Sequence, residues 1–219
     1  MKMVLVVCDA FKKQIEQVGE IPHDIIYLEQ GLHQHPKILT NKLQEAINSV
    51  NSYDVILLGY GLCSRSVIGL QAAPHQKMVI PRIDDCIGIS MGSRNRYLEE
   101  FSAHPGTYYF TQGWVETSDD PMKRYYEIME KYDEETAEWA IMDILKHYTR
   151  AVFISNSDFG EEEARAYVYK FAEFFKLTYV EMNGSFNYLK KLIFGPWDDN
   201  FVIVEGGYAL QDEMFRDPI

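Results

Sequence analysis

Tyr53-Asp-Val-Ile-Leu-Leu-Gly-Tyr-Gly-Leu-Cys-Ser-Arg-Ser66 joins a short apolar run to a glycine-rich turn that carries a cysteine. A run of this length, rich in Val and Ile and bounded by turn residues, reads as a buried strand. Asp54 to Leu58 is therefore a strand, and Gly59-Tyr-Gly61 with Cys63 forms the loop that follows it. The same plan recurs on either side. Lys2 to Val7 runs into Cys8-Asp9, Asp24 to Leu28 into Glu29-Gln-Gly-Leu-His33, and Lys77 to Pro81 into Arg82-Ile-Asp-Asp-Cys86. Helical spacing fills the gaps between them. Phe11, Ile15 and Val18 share one face, and Leu39, Leu43, Ala46, Ile47 and Val50 share another behind Pro36, a residue suited to the first helical position.

Further along, a helix is expected from Arg94 to Ser102 and a strand from Thr107 to Thr111. Asp120-Pro121 pairs an N-cap with a first-turn proline and opens helix that reaches Tyr148, broken near Asp133. Ala151 to Ser155 is a strand, and Asp158-Phe-Gly-Glu161 resembles a capping box opening a helix that ends near Lys176. Leu177 to Met182 (strand), Phe186 to Phe194 (helix) and Phe201 to Glu205 (strand) follow, and residues 214–219 read as a tail. Alternating strands and helices at this spacing predict an α/β fold with mostly parallel sheet and flanking helices. Residues 4–61 and 152–208 also share a plan of strand, turn, helix, strand, Gly turn, helix, strand, Gly turn. That regularity predicts two similar Rossmann-like lobes, residues 1–115 and 116–219, enclosing a cleft within one unit.

The chain has 219 residues, 47% of them hydrophobic, enough for a substantial core, and a formal net charge of −12. Such a charge argues against a general nucleic-acid binder, which needs clustered Lys and Arg. A local basic pocket built from Arg82, Arg94 and Arg96 remains compatible with it. The N-terminal apolar run is too short for a secretory signal, and no run approaches the roughly 20 residues that span a bilayer. A cytoplasmic protein without membrane contact is expected. With three cysteines and a reducing cytosol, buried thiols, reactive thiols or metal ligands are more natural than disulfides.

Ligands of parallel α/β sheets bind beyond the carboxyl ends of the strands. Cys8, Cys63 and Cys86 each lie just past a strand end, so a parallel sheet gathers all three on one edge. Three thiolates suit zinc or an iron–sulfur cluster, with His33, past the second strand, as a further ligand. Three small buried thiols without a ligand, or one nucleophilic thiol, are the competing readings. Tyr60 is placed to wall a pocket, Arg65 and Arg82 to bind substrate, and Asp85 and Glu205 to act as proton acceptors or to orient ligands. His35 is expected to cap the helix at Pro36. The glycines match neither a dinucleotide fingerprint nor a P-loop.

Four segments together carry a resemblance: Gly31-Leu-His33 with Pro36, Gly59-Tyr-Gly-Leu-Cys63, Pro81-Arg-Ile-Asp-Asp-Cys86 with Gly92-Ser93, and Pro105 to Trp114. They resemble an uncharacterised family, known as a domain of unknown function, of anaerobic bacteria and methanogenic archaea. Its genes often neighbour those of corrinoid-dependent methyltransferases. The resemblance implies a role in or beside methyl transfer, with a corrinoid, a corrinoid protein or a methyltransferase as partner, and assigns no residue a role. A metalloenzyme acting on a small molecule, of methyltransferase type, is the leading expectation. A non-catalytic corrinoid-binding protein and a metal-free cysteine enzyme are the alternatives.

Overall fold

The computed structural model describes residues 1–157 and 160–216. Its strands are β1 (Met3–Cys8), β2 (Asp24–Leu28), β3 (Val55–Gly59), β4 (Lys77–Pro81), β5 (Thr107–Phe110), β6 (Arg150–Ser155), β7 (Thr178–Asn183) and β8 (Phe201–Glu205). One sheet has the order β2-β1-β3-β4-β8, parallel except for β8, and the other has the parallel order β5-β6-β7. The expected α/β class with mostly parallel sheets is what the chain forms. Val4 to Val7 and Ile56 to Leu58 are completely buried, as central strands covered on both faces must be.

The helices are α1 (Lys12–Val18), α2 (Pro36–Ser49), α3 (Ile87–Met91), α4 (Arg94–Ala103), α5 (Gln112–Thr117), α6 (Pro121–Lys131), α7 (Glu134–Leu145), α8 (Glu162–Phe174) and α9 (Asn187–Phe194). In α2 the buried residues Leu39, Leu43, Ala46 and Ile47 form the predicted stripe, laid against β1 and β2. The expected break at Asp133 falls between α6 and α7, where the Asp133 carboxylate accepts the Thr136 N–H at 2.7 Å. Asp120 caps α6 as its sequence predicts, accepting from the N–H groups of Met122 and Lys123. His35 occupies the N-cap position of α2, yet its side chain makes no capping hydrogen bond. The capping box expected from Asp158 lies partly outside the described residues. Glu161, at the N-cap of α8, makes no capping bond there and instead accepts from Ser155 Oγ at 2.7 Å and the Asn156 N–H at 3.2 Å.

Strand pairing departs from the expected partition into residues 1–115 and 116–219. β5 belongs to the sheet of β6 and β7, while β8 returns to pair antiparallel with β4. The proposed repeat therefore loses its third strand, because a strand joins whichever edge its register and apolar face fit rather than the sheet of its sequence neighbours. The expected tail is also partly structured. Residues Asp212–Phe215 form a 3-10 turn, and Phe215 is 4% exposed within the first core.

The two sheets meet through backbone contact. A Cβ built on Gly113 in α5 would lie 1.9 Å from the carbonyl oxygen of Ala10, so only glycine allows this approach. Nearby, Gln14 Nε2 donates to Asn156 Oδ1 at 2.6 Å, and Asn156 Nδ2 donates to the Ser90 carbonyl at 3.1 Å. These bonds hold α1, the loop after β6 and α3 together beside the loop that carries Cys86.

Candidate functional site

β1, β3 and β4 run side by side in parallel, so the loops after them emerge on one edge. Cys8 ends β1, Cys63 follows β3, and Cys86 follows β4. All three line a single cavity of about 390 Å³, within the range of small-molecule sites. Its far wall comes from the second sheet, through Tyr108 and Tyr109 of β5, Trp114 of α5, and Tyr148. Tyr97 and Phe101 of α4 complete that side. The cavity thus lies between the two sheets, with the thiols on the first.

Two loops bring Cys63 and Cys86 together. Leu62 N–H donates to the Ile83 carbonyl at 2.9 Å and Cys63 N–H to the Asp84 carbonyl at 3.0 Å. A Cβ on Gly61 would sit 2.9 Å from the carbonyl carbon of Asp85 and 3.0 Å from its Cα. The Gly59-Tyr-Gly61 turn therefore serves loop-to-loop approach. Cys63, Ser64 and Arg65 all have positive φ, 44°, 57° and 67°. Left-handed backbone costs about 1–2 kcal/mol per non-glycine residue, and such strain concentrates at functional sites. Ser66 Oγ holds the turn by donating to the Cys63 carbonyl at 2.7 Å.

The result is a Cys63–Cys86 Sγ separation of 3.0 Å. A disulfide is about 2.05 Å long, so the two sulfurs are unbonded but adjacent. The hydrogen bond to Cys86, followed by burial, pushes the Cys63 thiol well above the usual thiol range. Burial, then the Cys86 charge, raises Cys8 as well. Both would be neutral thiols at neutral pH without a ligand to stabilise their charged form. Among the described residues, no group of three or more His, Cys, Asp or Glu side chains stands as a ready metal site.

His33 lies on a 3-10 turn after β2 and lines the cavity. Its Nδ1 is 2.5 Å from the Gln30 carbonyl oxygen, and its ring packs on Trp114 with centroids 5.1 Å apart. A protonated Nδ1 donating to that carbonyl leaves Nε2 as the ring atom with a free lone pair. The turn itself is pinned to the end of β1 by Asp9, whose Oδ1 accepts the Gln30 N–H at 2.8 Å.

Of the two aspartates before Cys86, Asp84 is exposed and Asp85 lines the cavity. Tyr97 Oη donates to Asp85 Oδ2 at 2.5 Å, and Ile87 N–H donates to Oδ1 at 2.8 Å. Burial raises the Asp85 carboxyl above its ordinary range, with these two donors pulling the other way. Tyr60 is 3% exposed, lines the cavity, and its hydroxyl has no hydrogen-bond partner. Burial, then the charges of Cys8, Cys86 and Cys63, holds that hydroxyl well above the usual phenol range.

Three expected site residues lie elsewhere. Arg65 forms an ion pair with Asp212 at 2.8 Å and is 65% exposed. Arg82 is absent from the cavity lining, and its main-chain N–H donates to the Asn200 carbonyl at 2.7 Å. Glu205 is at the opposite edge of the sheet, because β8 runs antiparallel and pairs Glu205 with Lys77 at the start of β4. There it meets Lys77 Nζ at 3.0 Å. The sequence reading passed over Gln30, which is 2% exposed and lines the cavity with both amide atoms unpartnered. Tyr108 and Tyr109, which the sequence marks only as part of a strand, both wall the cavity.

A family described as "Protein of unknown function (DUF1638)" matches residues 27–193, so the chain belongs to that family. No curated protein and no solved structure matches the chain.

Proposed function

We propose that this family member binds a soft metal ion through Cys63 and Cys86, completed by Cys8 or His33, and uses it on a small molecule held in the cavity. The supporting observation is the 3.0 Å approach of two thiols from separate loops, at the wall of a cavity that a third cysteine and a histidine also line. Metal–sulfur bonds of about 2.3 Å in a tetrahedral centre set sulfurs roughly 3.8 Å apart. The pair has only to open by about 1 Å, within the reach of side-chain rotation. A bound ion deprotonates its thiol ligands, which removes the burial cost that keeps Cys63 and Cys8 neutral. That cost also counts against a metal-free nucleophile.

A soft ion here would supply Lewis-acid activation of the bound molecule. The chain's own residues do the rest. Asp85, held by Tyr97 and Ile87, is the proton-exchanging group on the wall, and the aromatic side exclude water. Zinc and an iron–sulfur cluster both suit the donor set. The cavity's volume of about 390 Å³ suits a molecule of one to three rings, far smaller than a corrinoid.

Thiol counting tests the assignment. Anaerobically purified protein should leave its thiols slow to react with a disulfide reagent until a chelator is added, and fast afterwards. Thiols equally reactive before and after chelation would contradict it.

A further inference from the structure

Aromatic side chains line the cavity in pairs. Tyr97 and Phe101 of α4 have ring centroids 5.9 Å apart, Tyr108 and Tyr148 have centroids 5.3 Å apart, and Trp114 packs on His33. The pairing holds each ring in place without covering it. Phe101 is 48% exposed, and Tyr108, Trp114 and Tyr148 are half-buried. An aromatic face carries negative potential and attracts a cation lying within about 6 Å of the ring centroid.

Charge points the same way. The lining includes two carboxylates, Glu29 and Asp85, and among the described residues that line the cavity there is no Lys or Arg. Tyr97 Oη donates to Asp85 Oδ2 at 2.5 Å, which ties one aromatic pair directly to a carboxylate. A metal centre in the same cavity does not reverse this sign. Zinc held by three thiolates carries one net negative charge, and zinc held by two thiolates and His33 carries none. An ammonium shielded by alkyl groups is cheaper to desolvate than a bare one, and it packs those groups on the rings.

We propose that the ligand of this cavity is a small organic cation, an ammonium with apolar substituents held against the aromatic wall. This rests on the reading of the cavity as a small-molecule site and names the class of molecule it takes. The rings of Phe101, Tyr108, Trp114 and Tyr148 supply the cation–π surface, and Glu29 and Asp85 supply the opposite charge. The remainder of the molecule extends towards the thiols.

The 4-hydroxy-N,N,N-trimethylanilinium ion and 4-tert-butylphenol are matched probes, because carbon replaces the charged nitrogen while ring and hydroxyl stay the same. Titration of the full chain, followed by ligand-observed NMR, should show the cation binding about 10-fold more tightly than its neutral counterpart, as partly desolvated contacts with several rings would give. Phe101→Leu keeps an apolar side chain and removes one ring, and Glu29→Gln removes one charge. Both positions are exposed, so both variants should fold. Each should cut the preference by about 2- to 5-fold. Equal or tighter binding of 4-tert-butylphenol would overturn the proposal. So would a cation that fails to bind at millimolar concentration, or a preference untouched in both variants. Metal content is measured on the same samples. A cation preference in chain that holds no metal would uphold the ligand class and refute the metal centre, and metal retained without a cation preference would do the reverse.

Discussion

Gly61→Ala is the substitution that separates loop packing from any other role of the glycine turn. The new Cβ would stand 2.9 Å and 3.0 Å from backbone atoms of Asp85, and 3.0 Å from Ile83 Cγ1. Backbone atoms cannot swing aside, so the loop bearing Cys86 has to retreat by a few tenths of an ångström or more. That retreat stretches the Leu62–Ile83 and Cys63–Asp84 hydrogen bonds. Overpacking of this kind costs about 1–3 kcal/mol. Gly61 has no positive φ, so alanine recovers about 0.4–1 kcal/mol through the unfolded chain. The net expectation is a loss of about 1–2 kcal/mol, a fall in Tm of about 2–8 °C at this chain length. Gly31 is the control, with ordinary φ and nothing near its added Cβ, and Gly31→Ala should be neutral or slightly stabilising. The assay pairs thermal unfolding with binding of a trivalent arsenical, which requires two adjacent thiols. Gly61→Ala should melt lower and bind the arsenical more weakly. If it matches wild type in both, close approach of the two loops is not what the glycine provides.

Three further expectations follow from the site. Asp85 has a raised carboxyl in the folded chain, so it binds its proton more tightly there than when unfolded. Its contribution favours folding below the ordinary aspartate range and is lost as pH rises through the raised folded value. The stability difference, wild type minus Asp85→Asn, should therefore fall from about pH 4 towards neutrality, and urea unfolding across that range would expose a flat or rising difference. Arg65→Ala breaks an ion pair with Asp212 in which the arginine is largely exposed, so stability should change by at most about 1 kcal/mol; metal content should not change, and a large loss would return Arg65 to the site. Glu205→Gln, on the opposite edge, should likewise leave metal content intact, as metal analysis of that variant would show.

The cysteine edge was legible because it needs only local pattern and one topological rule. Strands β1, β3 and β4 announce themselves by short apolar runs, and parallel order places their ends together. Glu205 was misplaced because strand direction depends on the partner found in three dimensions, and β8 joins β4 antiparallel. Arg65 looked free because Asp212, its counter-ion, is remote in sequence. Helices α3 and α5 escaped notice because each is a short segment containing a glycine, with too few turns to show a period. Gln30 gave no signal at all. A glutamine in a polar loop is normally solvated, whereas this one is 2% exposed on a turn held to the end of β1 by the Asp9 carboxylate.

Metal content of anaerobically purified chain, compared with Cys63→Ser and Cys86→Ser prepared alongside, tests the central claim most directly. The wild type should carry about one equivalent of zinc, or iron with sulfide, per chain, and both variants should lose most of it. Less than about half an equivalent in the wild type, or retention of the metal in both variants, would contradict a thiolate centre at Cys63 and Cys86.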